Sequence, residues 1–322
     1  MNPFKKYCIS FVVLSAFCLL VIHPVLFYAS LGVEDSPGKT IDNWFRIKEA
    51  HANSDSGRRL FVLSCSTALY AADTSVMEHE LGITAVNFAT TSSLRKYMFE
   101  RIRASLRSGD IVLMPLEYHV YKDRPVENEV YVYILEYDPE YFQRQPFTEK
   151  IEFIYGVKTS FLLKRFIARM IGNEYGDDGS HFLHSRYLNS NGDLMSNTYA
   201  TRTYKQPINA PEQNFADFNV PGEEMGRIIS DFVDYCRNLN VKLFATWPPF
   251  YPSTGKKDFY GHDAEVAEDI KNFWEANEVM MLGDYRDAFF EADDCYNGTS
   301  HLNDLAKPKY TQHLIDLIRP YI

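Results

Sequence analysis

Short, largely apolar runs alternate with amphipathic segments along most of this chain, and few folds accept that pattern. The runs are Leu60 to Leu63, Thr84 to Phe88, Ile111 to Met114, Lys242 to Thr246 and Val279 to Leu282. They are too short for helices and lack polar alternate positions, so they suit strands covered on both faces. Between them lie helical patterns. Ser92 or Ser93 caps a segment that places Leu94, Tyr97, Met98, Ile102 and Leu106 on one face. Glu223 to Asn238, Ala264 to Asn277 and Lys307 to Ile318 repeat the pattern. The alternation predicts an α/β domain of three layers, doubly wound around a mainly parallel sheet.

Ahead of this pattern stands a second constraint. Lys5 and Lys6 precede an apolar run from Tyr7 to Tyr28, interrupted only by His23 and Pro24, which is long enough to span a hydrocarbon core. No small-x-small cleavage site stands around Tyr28 to Leu31, so residues 1–31 read as an uncleaved transmembrane signal-anchor rather than a signal peptide. The two lysines favour a cytoplasmic N-terminus, which puts the rest of the chain in the periplasm or its equivalent. Residues 32–57 read as a linker with a short helix, and residues 58–322 as the domain.

Within that domain, residues 119–221 break the alternation and read as an inserted cap region rich in Tyr and Phe. It contains an amphipathic stretch, Val157 to Ile171, where Phe161, Leu162, Phe166, Ile167 and Met170 oppose Lys158, Lys164, Arg165 and Arg169. This helix either packs on the domain or lies on the bilayer or on a membrane partner.

The formal net charge of −10 argues against nucleic acid as a partner, because a phosphate backbone calls for a basic surface. Neither a Walker-type loop nor G-x-G-x-x-G is present, and nothing in the sequence calls for a cofactor. Cys65, Cys236 and Cys295 have no metal-ligand spacing; a Cys236–Cys295 disulfide and free buried thiols both remain open. His181 and His184 near Asp177 and Asp178 read as a polar loop rather than a metal site, so no metal is expected.

In open α/β sheets ligands gather beyond the carboxyl ends of the strands. The first run ends in Ser64-Cys65-Ser66-Thr67, where a serine between strand and helix is either a nucleophile or a simple helix cap. A base is offered by His301, in the loop Asn297-Gly298-Thr299-Ser300-His301 before the last helix. Trp247 to Pro252, after the fourth run, places aromatics that either stack on sugar rings or form a rigid buried loop.

With these blocks in view, the chain resembles the SGNH, or GDSL-type, esterase and acyltransferase superfamily. More narrowly it is similar to membrane-anchored proteins of polysaccharide modification, such as the alginate O-acetyltransferase accessory proteins and the lipoteichoic-acid D-alanylation protein. The resemblance covers Arg59 to Thr90, Gly109 to Tyr121 and Tyr296 to His313. It implies Ser66 as nucleophile, His301 as base and a backbone N–H from Thr67 in the oxyanion hole. Asn87 falls in the second block, where Phe88 to Ser92 holds no glycine and Thr91 or Ser92 would supply the N–H. Glu117 stands where the family has a neutral Asn donor. Gly298 stands where the family has the triad Asp, leaving as stand-ins Asn297, four residues before His301, and Asp293 or Asp294 further up.

The resemblance further implies an O-acetyltransferase or esterase acting on acylated carbohydrate of an exported or cell-surface polysaccharide, working with a multi-spanning membrane O-acyltransferase. The alternative is an inactive scaffold or polysaccharide-binding subunit.

Overall fold

The computed structural model describes residues 2–33, 36–172, 185–203, 221–251 and 263–322. His181, His184, Asp177, Asp178 and Pro252 lie outside them.

The chain opens with α1 (Pro3–Phe17), a π-helical turn (Cys18–Ile22) and α2 (His23–Ala29), followed by α3 (Ser36–Ala52). Next come β1 (Arg59–Val62), α4 (Ser66–Ala71), α5 (Thr74–Leu81), β2 (Thr84–Asn87), α6 (Arg95–Arg103) and β3 (Ile111–Pro115). Four helices follow: α7 (Asn128–Tyr137), α8 (Pro139–Arg144), α9 (Phe147–Gly156) and α10 (Thr159–Ile171). The alternation resumes with α11 (Glu223–Asn238), β4 (Lys242–Thr246), α12 (Asp263–Ala276) and β5 (Met280–Leu282). A hairpin, β6 (Cys295–Gly298) and β7 (His301–Leu302), leads to α13 (Lys307–Ile318).

These elements form two compact units, one of Met1–Asn43 with Pro125–His184, the other of Trp44–Arg124 with Ser185–Ile322. In the first, α1, the π turn and α2 run as a single helix from Pro3 to Ala29, long and apolar enough to cross a membrane. Pro24 has no N–H to give the carbonyl of Leu20, four residues back. The hydroxyl of Tyr155 donates to that carbonyl instead, at 3.2 Å.

The second unit is α/β, with a five-stranded parallel sheet in the order β2-β1-β3-β4-β5. Leu60, Phe61, Val62, Ile111, Val112 and Leu113 are fully buried, as strands covered on both faces require. Met280 on the edge strand β5 is exposed. Among the helices, α13 touches α4 and α5 while α11 touches α6, where Phe99 and Phe232 meet with centroids 5.3 Å apart. The strand order reverses between β1 and β3, and the crevice at that reversal is where such sheets hold ligands.

Two expectations change, and one open alternative closes. Residues 32–57 are not a plain linker, because α3 buries Trp44, Phe45 and Ala52, apolar groups that water would reject. Residues 119–221 are not one insertion: the chain from Ser185 onward belongs to the sheet-bearing unit, where Asn191, Asp193, Leu194 and Asn197 are buried. Cys236 and Cys295 are buried free thiols rather than a disulfide, and burial pushes each up to about 12.

Buried charge organises the second unit. Arg59 and Asp110 are each about 1% exposed; Nε and Nη2 of Arg59 donate to the two carboxylate oxygens at 3.0 and 2.6 Å. The same guanidinium donates to the carbonyls of Ala52 and Ser105, so it ties together α3, the start of β1 and the turn into β3.

Lys48 on α3 is fully buried, and its Nζ donates to the carbonyls of Asn87 (2.6 Å), Ala89 (2.7 Å) and Gly192 (3.3 Å). Those acceptors match the three donors of an ammonium. Burial opposes the charge and brings the pKa down to about 7, against the pull of Asp193. Gly192 sits at φ +88°, and a Cβ there would stand 2.7 Å from Cγ of Lys48 and 2.8 Å from the Asn87 carbonyl, so only glycine fits.

Candidate active site

Ser66 and Glu117 flank the switch point, one just beyond β1 and the other just beyond β3. β1 ends at Val62, and the chain turns through Ser64, whose hydroxyl donates to the Pro115 carbonyl at 2.6 Å, into α4. Cys65 is the residue that caps α4 and Ser66 its first helical residue, so the Ser66 hydroxyl is not consumed as a cap. Thr67 follows, with one of the N–H groups that a helix cannot satisfy internally.

His301 comes from the other end of the sequence. Gly298 pairs with His301 and Cys295 with Leu302 in the β6–β7 hairpin, with an irregular register between. That irregularity places Asn297 beside the ring although it lies four residues away rather than three. The segment expected as a loop is thus a hairpin, and its stiffness positions the base. Asn197 reinforces it by donating to the carbonyls of Tyr70 and Leu302, which joins α4 to β7.

The resulting chain of groups is short and continuous. Nε2 of His301 lies 2.9 Å from Oγ of Ser66, across 235 residues of sequence. Nδ1 lies 2.6 Å from Oδ1 of Asn297, so Nδ1–H donates there and Nε2 is left to accept from the serine. Tyr70, one turn after Ser66, stacks on the imidazole with centroids 4.2 Å apart and planes 7° from parallel. The ring is held on both nitrogens and on one face.

Glu117 completes the site in an unusual way. Its Oε1 accepts the Thr67 N–H at 2.7 Å and lies 3.2 Å from Oγ of Ser66, while Oε2 lies 3.1 Å from Nδ1 of His119. The carboxyl group is 6% exposed and points into the site rather than away. It occupies the place where an acyl oxyanion would take the Thr67 N–H. The single proton of Ser66 is contested by Nε2 and Oε1, and the lone pair freed at Oγ is what a nucleophile needs.

Comparison with protein-family models and with curated proteins finds no match for this chain.

Of the residues singled out in the sequence, the structure brings together Ser66, Thr67, Glu117, Asn297 and His301. It does not bring in Asn87, whose amide donates to the Ala68 carbonyl and to Asp193 and has no further N–H to offer an oxyanion. Among the described residues no hydrogen bond joins Ser92 to Ser66 or His301; the neighbouring hydroxyls of Thr91 and Ser93 bond each other. Trp247, Phe250 and Tyr251 are buried, with Trp247 Nε1 donating to the Gly283 carbonyl, so this loop is a rigid interior element.

His119 and Tyr70 escaped the sequence reading. Tyr70 follows Ser66 by four residues on one helix, a spacing that puts both side chains on one face. His119 follows Glu117 by two. Arg95, buried at the start of α6, holds φ +29°, a strained value for a side chain. Its Nη1 donates to the Lys122 carbonyl, and its charge acts on both Cys65 and His119.

Two predictions arise here. Burial lowers the His301 pKa from the usual histidine value, and the Glu117 charge partly restores it. A base acts in its neutral form, so burial extends activity toward acid. The ascending limb of kcat/KM against pH is expected below 6.5; a limb above that value would mean that the Glu117 charge outweighs the effect of burial.

The second concerns Glu117. Glu117→Gln keeps an oxygen for the Thr67 N–H, turns its NH2 toward His119, and removes the negative charge that would repel a developing oxyanion beside Ser66. Turnover of a model acetyl ester is expected to rise about tenfold or more. A fall of similar size would identify the carboxyl group as an acid or base in the reaction.

Proposed function

We propose that this chain is an SGNH-like acyl-transfer protein with a three-layer, doubly wound domain, anchored in the cytoplasmic membrane with that domain outside. Ser66 attacks an acetyl ester as His301 takes its proton, and the imidazolium returns that proton to the departing alkoxide; a hydroxyl of an exported or cell-surface polysaccharide, or water, then gives its proton to His301 as it takes the acyl group and frees Ser66. Asn297 holds the imidazole, as the amide does in Cys-His-Asn enzymes, and stabilises imidazolium less than a carboxylate would. A multi-spanning membrane O-acyltransferase is the donor partner in this scheme, and Lys5 and Lys6 set the orientation.

One observation carries the reading: a strand-end serine within 2.9 Å of a histidine whose other nitrogen is held, in the crevice where the strand order reverses. The test is covalent capture. Incubation of the full chain with a fluorophosphonate, followed by peptide mass mapping, is expected to place the adduct on Ser66, with loss of the adduct in His301→Ala. An unmodified Ser66 peptide in a folded protein would reject the reading.

A second reading, an inactive scaffold or polysaccharide-binding subunit, draws on the Glu117 carboxyl group in the oxyanion position. Under it, neither wild type nor Glu117→Gln turns over esters or takes the probe.

A further inference from the structure

α10 turns a row of long apolar side chains outward. Its inward residues are Phe161, Leu162, Arg165 and Ala168, while Leu163, Ile167, Met170 and Ile171 are 47–71% exposed. Arg165, expected on the polar outer face, is fully buried, with Nη2 donating to Glu136 at 2.5 Å and to the Val33 carbonyl at 3.2 Å. Arg169 turns its Nη1 to the carbonyls of Ala29 and Leu31. Ile167 and Met170, expected inside, are outside. α9 continues the pattern: Phe147, Ile151 and Tyr155, spaced four apart, form an exposed stripe with Phe147 at 77%. Long apolar side chains turned outward, interspersed with the exposed Lys164 and Arg169, are the arrangement expected where a helix lies at the boundary between water and an apolar phase.

The long apolar helix identifies those surroundings. The junction of α9 and α10 is fixed to the long apolar helix at His23, whose Nε2 lies 2.8 Å from the Ile154 carbonyl and Nδ1 3.0 Å from Oγ1 of Thr159. Tyr155 stacks on the same ring, centroids 5.2 Å apart. From Lys6 to His23 a helix rises about 26 Å at ~1.5 Å per residue, close to the ~30 Å of a hydrocarbon core. With the lysines at one headgroup level, His23 reaches the opposite boundary, and α9 and α10 lie at that boundary with it. The exposed apolar residues of the long helix, Val21, Val25 and Tyr28 among them, belong to the same unit.

We propose that the outward faces of α9 and α10 are embedded in the membrane interface, a second lipid contact beside the anchor, with Met170, Ile171 and Phe147 as the inserted side chains. Lys164 borders this face with a stem long enough to reach the headgroups. The inference rests on the anchor reading above, and the experiment separates the two.

The full chain, in a Cys8→Ser, Cys18→Ser background, is reconstituted in phosphatidylcholine–phosphatidylglycerol nanodiscs with or without brominated acyl chains. An environment-sensitive fluorophore is attached singly to Leu14→Cys, Ile167→Cys, Met170→Cys or Glu268→Cys. Leu14 reports the anchor, and Glu268, exposed on α12, reports a site in the other unit. The expected result is emission at least halved by bromine at 14, 167 and 170 and unchanged at 268. Quenching at 14 with none at 167 and 170 overturns this proposal alone. No quenching at any of the three overturns the anchor and the interface contact together. Quenching at 167 and 170 without 14 supports the interface contact and removes the anchor.

Discussion

Ser66→Ala is expected to lower kcat/KM for a model acetyl ester by at least ~10³-fold, about 4 kcal/mol of transition-state stabilisation. The alanine keeps the first turn of α4 and the Thr67 N–H in place, so only the attacking oxygen and its proton transfer are removed. His301→Ala should cost a similar factor, and the double variant no more than either single one, because nucleophile and base act as one unit. Circular dichroism of the two variants should match wild type, since Ser66 and His301 are only partly buried. Retention of wild-type turnover and of polysaccharide acetyl content by both would end the serine-histidine reading.

The second large effect is on stability. Asp110→Ala leaves the Arg59 guanidinium buried with two of its donors unpaired, and the expected loss is about 3–5 kcal/mol. That is a large share of the roughly 5–15 kcal/mol that holds a typical domain folded. Replacing both members with apolar residues of similar size, Arg59→Met with Asp110→Leu, should recover much of the loss, because no lone charge then remains inside. Denaturant midpoints for the two variants decide the matter. Equal midpoints for Asp110→Ala and wild type would mean that the pair is hydrated in solution.

The sheet was legible because burial on both faces writes itself as unbroken apolar runs, and each of the five runs overlaps a strand. Ser66 and His301 were legible from their place at element ends. What escaped depended on tertiary partners. Trp44, Phe45 and Lys48 lie in a segment whose Ser, Pro and Gly gave it the look of a tether, and nothing local to Lys48 announces three distant carbonyls. Arg165 misled for the same reason: a cation reads as a surface residue until Glu136 is seen beside it. Glu117 stood out as a carboxylate where the resemblance implies a neutral donor, yet only the fold shows its carboxyl group bound to the Thr67 N–H.

The distance along the chain between nucleophile and base also sets when chemistry becomes available. Chains are made from the N-terminus and fold behind the point of synthesis. Ser66 and Glu117 are therefore both made before the hairpin that carries His301. Until that hairpin is delivered, a growing or truncated chain presents a serine without its proton acceptor. On the proposed serine-histidine reading, reactivity waits until the last elements dock, so unfinished copies would stay inert toward esters.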